Sequence, residues 1–124
     1  MDVGSGAGLP GVVFALLKPE SRFYLCEPRQ KRQIFLREVL KSVGLNNVEL
    51  VHSRLEEVTG EYDLVCSRAL GMQEQFLGLS KKLLASGGSI CQLLGPSWQG
   101  EADKIIDYRL YARGPSRKLA FWRA

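Results

Sequence analysis

Short runs of aromatic and aliphatic residues alternate along this chain with longer stretches in which apolar positions recur every three or four residues. Residues 22–27 (RFYLCE), 48–53 (VELVHS), 62–67 (YDLVCS) and 89–94 (SICQLL) are of the first kind and predict strands. Pro28 to Val43 predicts a helix: Ile34, Phe35, Val39, Leu40 and Val43 recur at helical spacing, and Gly44 can cap the end. Gln73 to Ala85 predicts another, closed by Gly87 and Gly88. A short helix opens at Pro10 and stops at Lys18-Pro19. In the tail, Ile105–Ala112 and Lys118–Arg123 flank Gly114-Pro115-Ser116-Arg117, the pattern of an antiparallel hairpin. Strands that alternate with helices and then give way to a hairpin predict an α/β fold, its sheet mostly parallel with a C-terminal antiparallel hairpin.

Length and composition add bounds. The 124 residues suit one domain, 1–124, and the 45% hydrophobic fraction is ordinary for a globular protein. A net charge of +4 is compatible with a polyanionic partner without requiring one. No apolar run approaches the roughly 20 residues of a membrane span, and the opening glycine loop has no signal-peptide pattern. Cys26, Cys66 and Cys91 are odd in number, lack a CxxC pair and fall in predicted strands. They are expected to be buried small hydrophobes in a reducing cytosol. His52, the sole histidine, is far in sequence from Cys26 and Cys91, so no zinc or other metal site is expected.

The candidate chemistry begins at Asp2-Val-Gly-Ser-Gly-Ala-Gly8. Glycines there let the backbone turn tightly and approach a ligand. The turn runs into a helix N-terminus, whose N–H groups are free. Glu27, at the end of the next strand, falls 21 positions after Gly6. An acidic residue about 20 positions on accepts hydrogen bonds from ribose hydroxyls in doubly wound folds. The pair points to an adenosine-containing cofactor. Gly6-Ala-Gly8-Leu-Pro-Gly11 fits the dinucleotide pattern literally. Asp2 argues otherwise, because a carboxylate beside the loop repels a pyrophosphate. S-adenosylmethionine (SAM) carries an ammonium and a sulfonium instead, and Asp2 suits both. Two other classes stay open at this point: a nicotinamide-dependent oxidoreductase, and a degenerate Rossmann-like RNA-binding module without activity.

The loop DVGSGAGLPG (Asp2 to Gly11) resembles that of the small-subunit ribosomal RNA guanine-N7 methyltransferases called RsmG, or GidB. The similarity continues through QKRQIFLREV (30–39), GLNNVELVHSRLEEV (44–58), YDLVCSRAL (62–70) and LLASGGSI (83–90), and weakly into the final hairpin. It therefore covers most of the chain, in order. The resemblance implies a Rossmann-like SAM-dependent methyltransferase sheet. Its first strand is expected to be largely missing, since only Met1, Asp2 and Val3 precede Gly4, and the family's upstream helical segment is expected to be absent too. An isolated chain of this kind is expected to be marginally stable.

Residue by residue, the resemblance implies that Gly4 and Leu9 line the methionine and sulfonium end while Gly6 and Gly8 shape the loop. It implies that Glu27 holds the ribose, that Leu55 and Glu56 face the adenine, and that Arg68 sits near the incoming base. The implied reaction moves a methyl group to guanine N7, which has an in-plane lone pair and no proton to lose. Such a step asks for alignment and no general base, and no catalytic side chain is assigned. The implied partner is small-subunit ribosomal RNA or the 30S subunit, met by a monomer in the cytoplasm, with no membrane. One departure is Leu94-Gly95-Pro96, where the family usually places a lysine before the glycine. Arg29, Lys31 and Arg32, with Arg37 and Lys41, make one helix basic: a solvated face or a contact with RNA phosphates. Arg109, Arg113, Arg117, Lys118 and Arg123 enrich the tail in the same way.

Overall fold

A computed structural model describes residues 1–68, 71 and 73–123. Its residues group into two compact units, Met1–Thr59 and Gly60–Ala124.

The first unit holds β1 (Asp2–Val3), α1 (Gly11–Leu17), β2 (Phe23–Cys26), α2 (Gln30–Val43), β3 (Val48–Val51) and one 3₁₀ turn at Leu55–Glu57. Its strands lie in the order β3-β2-β1 and all run parallel. Val3 stands opposite Cys26, and Cys26 opposite Val51. The three strands therefore end in one register row, and the loops that follow them leave from one edge. Leu25, wholly buried, meets Val12 of α1 and Leu36 and Leu40 of α2, with Val39, Leu45, Val48 and Leu50 packed around them. Each such side chain contributes about 1.5–3 kcal/mol when fully buried.

The buried face of α2 differs from expectation. Ile34, Phe35 and Val43 are exposed, and the inward positions are Gln33, Leu36 and Leu40. A polar residue takes an apolar-looking place because both hydrogens of its amide nitrogen are used: Gln33 Nε2 donates to the Glu27 carbonyl at 2.8 Å and to the Val51 carbonyl at 3.1 Å. Gly44 ends the helix as read. At φ 73° it is left-handed, and its N–H reaches the carbonyls of Leu40 and Lys41. Asn47 secures the other helix. Its Nδ2 lies 3.1, 3.3 and 3.0 Å from the carbonyls of Ala15, Lys18 and Ser21, and its own carbonyl accepts from Phe23 N at 2.9 Å.

The second unit holds β4 (Tyr62–Arg68), α3 (Gln73–Lys81), β5 (Leu84–Leu94), β6 (Lys104–Tyr108) and β7 (Arg117–Arg123). Strand order is β4-β5-β7-β6; β4 and β5 are parallel, and β7 is antiparallel to both of its neighbours. The helix stops four residues short of the expected Ala85, and β5 begins at Leu84 instead of Ser89. Gly87 and Gly88 therefore lie inside a strand, beside a register shift between Tyr62 and Leu64. A Cβ at Gly88 would stand 2.9 Å from the Ala85 carbonyl oxygen and 3.0 Å from that of Tyr62, so the backbones approach too closely there for a side chain.

Val65, Ile90 and Ala120 are wholly buried. In the same core Gln92 stands opposite both Ser67 and Ala120. Ser67, Gln92 and Ser80 are fully buried, and among the described residues their side-chain polar atoms have no hydrogen-bond partner. Among the described residues, no helix is long and apolar enough to cross a membrane, and no group of three or more His, Cys, Asp or Glu residues could hold a metal ion.

Candidate functional site: the strand-end edge of the first unit

The loop between β1 and α1 is fixed from below by its own backbone. Gly4 N and Ser5 N both donate to the Cys26 carbonyl, at 2.9 and 3.2 Å, and Ser5 Oγ donates to the Asp2 carbonyl at 2.8 Å. Gly4, Gly6 and Gly8 take φ values of 69°, 57° and 90°, a region costly to any residue with a Cβ. Their uses differ. A Cβ at Gly8 would stand 2.6 Å from Val12 Cγ2 and 3.1 Å from Leu36 Cδ2, so Gly8 lets the loop press onto both helices. A Cβ at Gly6 would meet nothing nearer than 3.5 Å, the distance to Arg32 Nη1. Gly6 is thus the open part of the turn. Gly11, the last glycine of the dinucleotide-type pattern, has no role assigned from sequence, yet a Cβ there would collide with Leu25 and with Asp2 Oδ2. It is the glycine that lets α1 lie against the strands.

Asp2 is buried, and its Oδ2 accepts from Gly11 N at 3.0 Å. The carboxylate thus holds the N-terminus of α1, where a negative charge is favoured. Its expected service to a cationic ligand is electrostatic, from beneath the loop.

Glu27 is the centre of the edge. It is 2% exposed. Oε2 accepts from Gly6 N at 3.1 Å, and Oε1 accepts from Arg29 N at 2.9 Å. One side chain therefore joins the glycine loop, the end of β2 and the start of α2. Each carboxylate oxygen accepts more than one hydrogen bond, so these contacts leave room for hydroxyl donors.

Arg32 stands above Glu27, its Nη1 3.5 Å from Oε2, and is half exposed. That contact qualifies the expectation that Arg32 serves RNA: part of its charge is spent on the site carboxylate. Arg29 and Lys31 are exposed, as are Arg37 and Lys41. At 3.6 residues per turn, Arg32 and Arg37 fall on opposite flanks of the buried stripe, so the cations of α2 do not form one face.

Leu55 and Glu56 lie in the 3₁₀ turn after β3, on the same edge, with Leu55 half-buried and Glu56 exposed. The segment is tied to β2 by the Cys26 thiol, which donates to the Ser53 carbonyl at 3.2 Å. That thiol is pushed up to about 11, first by burial and then by Glu27, Asp2 and Glu56. Those three carboxylates, from three separate segments, thus all lie within electrostatic reach of the Cys26 thiol. Leu9 is exposed in the loop. Arg68, exposed at the end of β4, belongs to the second unit. Ala69 and Leu70, the last residues of the stretch read as YDLVCSRAL, lie outside the described residues.

The edge combines a glycine turn, a half-buried leucine and a buried carboxylate, with Arg32 leaning on it from the start of α2. Solved structures of methyltransferases share this fold. Precorrin-6y C5,15-methyltransferase from Geobacter metallireducens GS-15 superposes with a TM-score of 0.72 at 19% identity, over 98% of this chain and 77% of that one. The putative methyltransferase yhhF from Escherichia coli gives 0.70 at 18%, over 99% and 76%. The sequence narrows the class further. Residues 1–107 match the family model for rRNA small subunit methyltransferase G, GidB. The ribosomal RNA small subunit methyltransferase G of Francisella philomiragia is 35% identical over 124 residues, that is 100% of this chain and 60% of the relative. That of Nocardioides sp. is 42% identical over 123 residues, 98% of this chain and 45% of the relative. This chain belongs to the rRNA small subunit methyltransferase G family. It spans 60% and 45% of the length of those two relatives.

Proposed function

We propose that the chain binds SAM along the strand-end edge of its first unit and is the cofactor-binding part of a methyltransferase acting on guanine N7 of small-subunit ribosomal RNA. The observation that carries this reading is Glu27, wholly buried and oriented by Gly6 N and Arg29 N at 3.1 and 2.9 Å. A carboxylate so oriented accepts ribose hydroxyls once Arg32, 3.5 Å above it, turns aside. The residues present fit the cofactor. The turn at Gly6 is open at its Cβ side, and the carboxylates of Asp2, Glu27 and Glu56 favour a ligand bearing an ammonium and a sulfonium. They disfavour a pyrophosphate, which speaks against a nicotinamide dinucleotide. The Rickettsia typhi PKMT2 structure, a neighbour at TM-score 0.66 and 22% identity, is a complex with AdoHcy, the demethylated product of SAM.

When bound, SAM supplies an electrophilic methyl group. On this reading Gly4 and Leu9 line its methionine end, Glu27 fixes the ribose, and Leu55 with Glu56 borders the adenine. Arg68 holds the incoming base or its phosphate. N7 of guanine keeps its lone pair free at neutral pH, so the protein's task is alignment. The substrate is ribosomal RNA, free or within the 30S subunit, and the setting is the cytoplasm.

Titration calorimetry tests the cofactor: SAM and its demethylated product bind, and NADH does not. NADH binding tighter than SAM would overturn the assignment. Incubation with labelled SAM and small-subunit RNA, followed by borohydride and aniline cleavage, tests the substrate. Cleavage maps 7-methylguanosine, and label confined to cytosine or adenine rejects N7.

A further inference from the structure

The hairpin that closes the chain carries a feature outside the residues matched by the family model, which end at 107. Between β6 and β7 the sequence is Arg109-Leu-Tyr-Ala-Arg-Gly-Pro-Ser116, and no Asp or Glu occurs after Asp107. Tyr111 is 64% exposed, yet its ring is not loose. Gly114 N donates to the Tyr111 carbonyl at 2.9 Å, closing a turn. A Cβ at Gly114 would stand 3.0 Å from two ring atoms of Tyr111, so the bare glycine backbone is the surface on which the ring rests. One face of the ring is thus covered by Gly114, itself buried, and the other faces water. Arg109 and Arg113, two residues before and after Tyr111 in sequence, are exposed, and among the described residues neither forms an ion pair. Lys118 differs, being held by Asp107 at 3.1 Å.

An aromatic ring covered on one face, with an exposed arginine two residues before it and another two residues after it, is an arrangement that receives single-stranded nucleic acid. A base stacks on the ring, and the flanking phosphates meet the cations. The loop offers cations and no carboxylate, which suits a polyanion. We propose that the β6–β7 loop is an RNA contact in which Tyr111 stacks on an unpaired base while Arg109 and Arg113 neutralise adjacent phosphates. The contact rests on the reading that this chain works on RNA, and is independent of whether it transfers a methyl group.

The test is fluorescence anisotropy of the 124-residue chain with a labelled single-stranded oligoadenylate. Tyr111→Leu keeps an apolar group on Gly114 and removes the ring. It weakens binding about tenfold, whereas Tyr111→Phe stays near the parent. Arg109→Gln with Arg113→Gln lowers the salt slope by about 1.4, the share of two single-strand phosphates. Tyr111→Trp gives an indole whose emission is quenched as a base stacks. SAM affinity, measured in parallel, stays unchanged in all four variants. Equal RNA affinity in parent and Tyr111→Leu overturns the proposal. So does loss of binding to anionic phosphatidylserine vesicles, in the same variants, with RNA binding intact. A parent that binds RNA through Tyr111 but ignores SAM defeats the cofactor reading and leaves this contact standing.

Discussion

The two units treat buried polar side chains in opposite ways. In the first, Ser5, Glu27 and Gln33 are each at most 5% exposed, and each is engaged by hydrogen bonds that converge on the glycine turn and the strand ends. In the second, Ser67, Ser80 and Gln92 are fully buried, and their side chains find no hydrogen-bond partner among the described residues. An unpartnered buried polar group costs about 1–3 kcal/mol. A partnered one gives direction to its neighbours. Burial of polarity therefore marks a site only where hydrogen bonds organise it, and in this chain they do so at the β1-β2-β3 edge.

Four measurements break or sharpen that contrast. The largest effect is expected at Gly8. Alanine there combines a positive φ with a 2.6 Å approach to Val12, so urea denaturation should show a loss of about 3 kcal/mol, with SAM binding lost as well. A loss near zero would mean that the loop does not depend on pressing against the helices. Next, Glu27→Gln replaces an acceptor of two backbone N–H groups with a partial donor. SAM affinity should fall by about 1.5–3 kcal/mol, roughly ten- to hundredfold by calorimetry, while the fold persists. An unchanged Kd would remove Glu27 from the site. Third, Gln92→Met fills the same space without polar atoms. Stability should rise by about 1 kcal/mol. Destabilisation instead would show that Gln92 has a function, and would erase the difference between the units.

The smallest effect is with pH. Cys26 and Cys91 both rise from 9.0 to about 11. Their folded-state values exceed the unfolded ones, so the folded chain holds the thiol protons longer. The stability this contributes is full below pH 9 and is lost as pH climbs towards about 11. Burial alone raises Cys91, whereas Glu27, Asp2 and Glu56 add to Cys26. Added salt should therefore lower the Cys26 value and leave that of Cys91 in place, as read by thiolate absorbance in Cys91→Ala and Cys26→Ala variants.

Much of the frame was legible because period and punctuation agree. The alternation of β and α runs, the left-handed cap at Gly44 and the terminal hairpin all follow from local rules. The candidate edge was legible too, since Gly6 and Glu27 are linked by a spacing with a physical reason and are joined by a hydrogen bond. What escaped depends on contacts between segments. Gln33 looks like a surface residue until the carbonyls of Glu27 and Val51 are brought to it. Leu84–Gly88 looks like a helix end until β4 is there to pair with it. The cations of α2 look like one patch in a linear string, and the helix geometry spreads them. Arg32 could not be known to lean on Glu27 until the start of α2 was fixed by Arg29 N.

Asn47 has a consequence for how the first unit opens. A helix of seven residues is too short to persist by itself in water, and the N-cap residue of α1, Pro10, supplies no side-chain cap, so that Asp2 holds Gly11 N from β1. Its last turn is instead held by a side chain that also joins the start of β2 and precedes β3. The amide hydrogens of α1 should therefore not exchange by fraying from Leu17 backwards. They should exchange in one event with those of Phe23 and the first residues of β3, as a single cooperative unit. Because α1 begins where the glycine turn ends, that event sets the lifetime of the turn. The ordering of the ligand edge is thereby governed from the opposite end of the helix.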